Sequence, residues 1–318
     1  MKFKSKILHN RIKSKNKLIK GFTLVELLVS MTITLIIVGL LIGMTKIAIG
    51  AWVTTNNKVK SSRLATEVFE VVGRDLEGLV VRSGNTFEWL SIEDNNLAGP
   101  DVGPGGGSEG KNIVNTFDIN FFTATPDRYD GQIGSSVDAG GDVSMVRYRL
   151  IYQDVIEGGT GVGTTPVYSL YRDRVEPDEV FQSLLGQDEL AAPLANLDEI
   201  NEVENILADN IYDFTLSFNF EFTVDDGTKI YERVTIQAGG SDSLSIKGND
   251  ILIGGTSIEI PDGAASPRLA SADISVFVIS DGGMRALEFQ PDLNSEEFAE
   301  FLKEHGDSYT KSVLLPQQ

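Results

Sequence analysis

The chain has no cysteine, two histidines and two tryptophans among 318 residues. Without cysteine it has no disulfide staple and no thiolate metal site. His9 stands in a basic N-terminal stretch. That leaves His305, next to Gly306 at the expected end of a helix, where a capping or solvent role fits better than catalysis. Positive charge is scarce too: 27 Lys and Arg face 46 Asp and Glu. Eight of the basic residues lie within 1–20, and without them 19 face 46, a side-chain net of −27. A chain so acidic does not bind nucleic acid through its phosphates. It also lacks a Walker A loop, a Gly-x-Ser-x-Gly elbow, a His-Glu-x-x-His helix and the acidic spacing of an EF-hand.

What the chain does have is concentrated near its start. Residues 1–20 carry Lys2, Lys4, Lys6, Arg11, Lys13, Lys15, Lys17 and Lys20 with no acid. They include no apolar h-region of a secretory signal, and the positive-inside rule keeps them cytoplasmic. From Leu27 to Thr45 there are 19 consecutive uncharged residues, roughly 28 Å as a helix, about the thickness of bilayer hydrocarbon. Everything after Lys46 is therefore expected outside the cytoplasm. At the border stands Gly21-Phe22-Thr23-Leu24-Val25-Glu26, a small residue before an apolar helix that holds one carboxylate. An isolated carboxylate in hydrocarbon needs a partner. A cut after Gly21 supplies one, because the new α-amino group of Phe22 is largely cationic at neutral pH.

These residues resemble the processing motif of the type IV pilin and pseudopilin superfamily: Gly, Phe, Thr, Leu, an aliphatic residue and Glu. The resemblance implies that a prepilin peptidase cuts between Gly21 and Phe22 and methylates the amine of Phe22. It also implies that Glu26 guides assembly by pairing with a neighbour's amino terminus. The partners it implies are other minor and major pseudopilins and an inner-membrane platform driven by a separate ATPase. No catalytic residue, metal or cofactor is implied, and the basic tip of DNA-binding competence pilins is disfavoured by the charge.

The fold expected is α+β, a long N-terminal helix packed on an antiparallel sheet. The domains expected are a cleaved leader at 1–21, a membrane helix at 22–50, its amphipathic continuation at 51–84, and a globular β-rich domain at 85–318. Leu64, Val68, Val71, Val72, Leu76, Leu79 and Val80 recur at helical spacing, and Arg82-Ser83-Gly84 supplies the stop. Gly39 and Gly43 form a Gly-x-x-x-Gly spacing that is common by chance in apolar segments. Residues 99–110 read as a glycine-rich loop.

Strands are expected at Asn112 to Thr125, Val143 to Gln153 and Tyr212 to Val224, the last with one buried and one wet face. Asp225-Asp226-Gly227 turns that strand into a hairpin with Lys229 to Ile236. Asp178 to Leu197 reads as a helical excursion broken at Pro193, and Ile251 to Ile260 as short strands. Ala272 to Ser280, apolar on both faces, reads as a central strand. Asn294 and Glu297 have capping-box spacing for a last helix that turns Phe298, Phe301 and Leu302 to the sheet.

Within the superfamily, the likeness is nearest to the J-type minor pseudopilin of type II secretion. It is carried by Val146-Arg147-Tyr148-Arg149-Leu150, by the run from Val167 to Arg174, by the run from Leu207 to Phe214, and by Pro267-Arg268-Leu269-Ala270. The chain departs from that pattern at 99–110 and 178–206. One alternative is a pilin-like subunit of a type IV pilus or related surface assembly. Another is a membrane-anchored extracytoplasmic enzyme or binding protein, which would draw on Asp225, Asp226, Asp242, Asp250, Asp262 and Asp281. Asp beside turns is ordinary turn chemistry, so the chain reads as a non-enzymatic subunit, with a calcium loop left open.

Overall fold

The computed structural model describes residues 21–82, 84–94, 117–124, 141–156, 166–194, 197, 200, 202–236, 243–258, 260, 264–265, 267–289 and 295–316. The basic stretch 1–20, the glycine-rich residues 99–110 expected to form a loop, Asn112, Thr125, Ser83, Asp242, Asp262 and Asn294 lie outside these residues. The chain divides into two compact units, Met1–Thr54 and Thr55–Gln318.

Helix α1, Leu24–Glu77, is 54 residues long and contributes to both units. It contains no proline, and the hydroxyls of Thr32, Thr34, Thr45 and Thr54 donate to carbonyls four residues back at 2.8–3.1 Å. In the first unit the side chains are exposed all round, and the helix is long and apolar enough to cross a membrane. In the second unit one face is buried through Ala65, Val68, Val72 and Leu76. Each of these larger apolar side chains contributes about 1.5–3 kcal/mol by leaving water.

The helix ends earlier than Arg82-Ser83-Gly84. It stops at Glu77, because the next residues are captured by strand β2, Phe117–Ala124. Leu79 bridges to Thr123, Val80 N–H donates to Phe122 at 2.9 Å, and Ala124 N–H donates to Gly78 at 2.7 Å. Gly78 permits this approach, since a Cβ there would lie 2.6 Å from Thr123 Oγ1.

The expected antiparallel β domain is built from two sheets. The remaining strands are β1 Glu88–Asp94, β3 Val143–Gln153, β4 Val167–Val175, β5 Ile206–Asp209, β6 Ile211–Thr223, β7 Lys229–Thr235, β8 Leu244–Lys247, β9 Asp250–Ile253, β10 Thr256–Ser257, β11 Arg268–Ile279 and β12 Gly306–Leu314. The larger sheet runs β10-β9-β8-β1-β2-β3-β4-β5 and the smaller runs β12-β11-β6-β7, antiparallel throughout. Their facing sides and α1 share one core. The Tyr148 ring of β3 lies 6.1 Å from Phe121 of β2 and 5.7 Å from Phe214 of β6.

Strand β6 buries Phe214, Leu216, Phe218, Phe220 and Phe222 as its alternation predicts. Its other face is drier than expected. Ser217 accepts from Thr235 at 2.8 Å, and Glu221 is covered by Tyr231, Lys229 and Arg268, leaving both buried. The β6–β7 hairpin turns at Gly227, with φ +83°. Strand β11 is central to its sheet, paired with β6 and β12. Only its Ala272, Ile274, Val276 and Val278 side is buried, however; Asp273, Ser275 and Phe277 on the other side are half-exposed, so it is not apolar on both faces.

The excursion is not one helix. It consists of α2 Pro177–Glu179, a π-turn Val180–Leu184 and α3 Ala191–Leu194, and a 3-10 turn Val203–Asn205 follows it. The break falls at Gly186, φ +89°, while Pro193 sits inside α3. In a first turn the N–H that proline lacks has no helical acceptor to lose. This segment buries Val180, Leu184, Leu190 and Leu194. It covers the side of the larger sheet opposite Tyr148, where Arg147 donates to Leu197 O.

After β11 come α4, Asp281–Phe289, and α5, Ser295–His305. Helix α4 is not among the elements expected from the sequence, and α5 is followed by β12, so it is not the last element. Phe298 and Phe301 of α5 are buried, Leu302 is half-exposed, and His305 packs on Phe301 at 4.7 Å.

Candidate functional site

The processing motif lies at the start of α1. Gly21, Phe22 and Thr23 are not helical, and the helix begins at Leu24. The bond expected to be cut therefore precedes the first helical residue. Phe22 is 85% exposed, and Glu26 is exposed one turn into the helix.

Thr23 and Glu26 hold each other reciprocally. The Thr23 N–H and hydroxyl each donate to Glu26 Oε2 at 3.0 Å, while Glu26 N–H donates to Thr23 Oγ1 at 3.3 Å. The first backbone helix bond runs from Leu27 N–H to Thr23 O at 3.2 Å. This is a capping box, in which two otherwise orphan N–H groups find acceptors. Thr-x-x-Glu is its sequence signature. That signature is hidden along the chain because the same two residues belong to the processing motif. Within the chain, Glu26 thus has a partner before any neighbour arrives.

A second polar group fixes the far end of α1. Asp75, buried on the helix, accepts the Tyr148 hydroxyl and both Nε and Nη2 of Arg172 from β4, at 2.7 and 2.9 Å for the guanidinium bonds. Thr123 Oγ1 donates to the Asp75 carbonyl at 2.9 Å. Burial, reinforced by the Asp75 carboxylate, pushes the Tyr148 phenol well above its ordinary value, so it stays a donor. The bidentate fork locks the helix azimuth against the sheet. No spacing along the chain announces this trio, because its members are brought together only by the fold.

A polar cleft of about 300 Å³ lies between α1 and the β11–α4 junction, lined by Lys60, Arg63, Asn210 and Asp281 among others. Three of its polar groups bond together. Lys60 pairs with Asp281 at 2.9 Å, and Asn210, held at φ +63°, donates to the same carboxylate at 3.1 Å. Of the turn carboxylates, Asp226 accepts Thr228 N–H at 2.7 Å, which is turn chemistry. Among the described residues no group of three or more His, Cys, Asp or Glu is placed to hold a metal.

Compared with known families, residues 16–42 match the prokaryotic N-terminal methylation motif. No curated protein and no solved structure matches the chain. The motif supports the class of type IV pilins and pseudopilins. It implies processing by a prepilin peptidase and assembly with other pilins. Together with the one helix among the described residues that is long and apolar enough to cross a membrane, it fits a single-pass anchor in the inner membrane.

Proposed function

We propose that this chain is a non-enzymatic, pilin-like subunit whose precursor is cut between Gly21 and Phe22 and methylated on Phe22. In this reading, residues 1–21 are the leader, 22–50 anchor the subunit, and the domain beyond them faces the extracytoplasmic side. Glu26 then directs its entry into an assembly moved by a separate ATPase and platform. The observation that carries it is the placement of the methylation motif: its Gly21–Phe22 bond lies just outside a helix of 54 residues that is long and apolar enough to cross a membrane.

The finer assignment is a J-type minor pseudopilin in the tip or initiating complex of a type II secretion pseudopilus. Its support is that two of the quoted segments supply Tyr148 and Arg172, which together hold Asp75 of the helix. A subunit of another surface assembly is favoured by one specific feature, the segment from Pro177 to Leu194 that covers the outer side of the larger sheet.

Mass spectrometry of the N-terminal peptide tests processing. The mature chain is expected to begin at Phe22, and Gly21→Leu to accumulate with its leader. An intact leader on assembled protein overturns the reading. Glu26→Gln keeps an acceptor for Thr23 while removing the charge, so it separates capping from pairing. It is expected to be inserted and cut but to lose partner cross-links nearly as fully as Glu26→Ala, with Glu26→Asp intermediate. Wild-type cross-linking of the Gln variant overturns the ion-pair role.

A further inference from the structure

Resting on the processing reading, we infer that Thr23 is a positioning residue for cleavage: its hydroxyl keeps α1 from growing back over the Gly21–Phe22 bond. The argument starts from what lies on either side of Thr23. Phe22, Thr23 and Leu24 include neither proline nor glycine, and the apolar helix that follows would propagate toward the N-terminus unless something stopped it. If it grew by one residue, Glu26 N–H would donate to the Phe22 carbonyl. A second residue would bring Val25 N–H onto the Gly21 carbonyl, the carbonyl of the bond to be cut. That carbonyl would then be engaged in a 13-atom hydrogen-bonded ring and screened by the turn above it.

The structure shows the first of these steps forestalled. Glu26 N–H is already taken by Thr23 Oγ1 at 3.3 Å, and Thr23 N–H is drawn to Glu26 Oε2 at 3.0 Å. A hydroxyl at the N-cap competes directly with the backbone carbonyl one residue earlier. Gly21 and Phe22 stay non-helical, and the bond between them remains open to a peptidase that must reach its carbonyl from the side.

Thr23→Val keeps the shape of the side chain and removes the hydroxyl. Loss of a cap of ordinary strength shifts the helix-start equilibrium about fivefold, which lowers the fraction of chain presented in the extended form. A smaller competent fraction raises KM and leaves kcat unchanged, because every chain that binds is cut as before.

The test is steady-state cleavage of the full chain in proteoliposomes by purified prepilin peptidase, with hydrogen exchange followed over residues 21–27. For Thr23→Val, KM is expected to rise, by at most about fivefold, at constant kcat, with new protection at the Val25 amide. Thr23→Ser and Thr23→Asn, both good caps, are expected to restore wild-type values. A Thr23→Val chain cut with the wild-type KM, a loss confined to kcat, or failure of both Ser and Asn to rescue would overturn the role of Thr23 while leaving the processing reading intact. A wild-type chain never cut after Gly21 overturns both.

Discussion

Arg172 grips Asp75 with two parallel hydrogen bonds, Nε to Oδ2 at 2.7 Å and Nη2 to Oδ1 at 2.9 Å, across a separation of 97 residues. The Asp75 side chain is 9% exposed and that of Arg172 25%, so water screens the pair poorly. Removing either partner strands the other. Asp75→Ala or Arg172→Ala is expected to cost about 3 kcal/mol, and the double variant clearly less than the sum. Urea unfolding of the detergent-solubilised chain, followed by the fluorescence of buried Trp89, measures all three. Strict additivity would mean that the two residues do not act together.

Two buried tyrosines should respond oppositely to loss of their hydroxyls. Tyr148 donates to Asp75, whereas the buried Tyr168, its ring packed on Tyr152 and Tyr212, finds no hydrogen-bond partner for its hydroxyl among the described residues. Tyr168→Phe is expected to stabilise the domain by about 1 kcal/mol by removing an unsatisfied polar group, and Tyr148→Phe to destabilise it by a similar amount. Denaturant midpoints of the two variants decide the matter. Equal losses would contradict the difference in their surroundings.

Glu93 supplies a pH-dependent prediction. Burial holds its carboxyl above the ordinary value of 4.5, against a hydrogen bond from Ser91, and the neighbouring Glu88, Asp118 and Glu189 push in the same direction as burial. A carboxyl raised in the folded state favours folding when protonated, and that contribution is lost as pH rises through its folded value. Glu93→Gln is therefore expected to raise the urea midpoint at pH 7. The gain should shrink as pH falls and be absent below 4.5. An unchanged midpoint at pH 7 would show the carboxylate to be well solvated.

The legible parts of the chain were those with local periodicity. Val143 to Gln153 can be read to the residue, and the β6–β7 hairpin follows from alternating phenylalanines and Asp-Gly. Features that depend on contact between distant segments were not legible. The end of α1 is set by β2 at Thr123, not by Gly84, seven residues beyond Glu77. Helix α4 begins with Asp281-Gly282-Gly283, weak helix formers, and starts because Gly283 N–H donates to Ser280 Oγ at 3.2 Å. Strand β12 alternates little in hydrophobicity, because Val313 alone among its residues is buried, and only pairing with β11 defines it.

At the site, the order of the motif was visible but its mutual bonding was not. Gly21, Phe22 and Glu26 are recognised as a pattern along the chain, whereas the reciprocal bonds of Thr23 and Glu26 require the position of the first helical residue. The Asp75 trio shows the opposite limit. A carboxylate on the buried face of a helix looks like an error in an apolar pattern until the sheet delivers its arginine.

Strand β1 is joined on one side to β2, the next strand, and on the other to β8, with Ile92 opposite Leu244. All of β2 to β7 lies along the chain between β1 and β8. Closing such a seam requires loop-closure entropy before any contact rewards it, so folding belongs to the millisecond-to-second regime of long-range β topologies. Helix α1 needs only local bonds and forms on the order of a microsecond. The apolar rod is therefore finished long before the domain, and for that interval an unpaired β1 edge is the surface most exposed to pairing with the wrong chain.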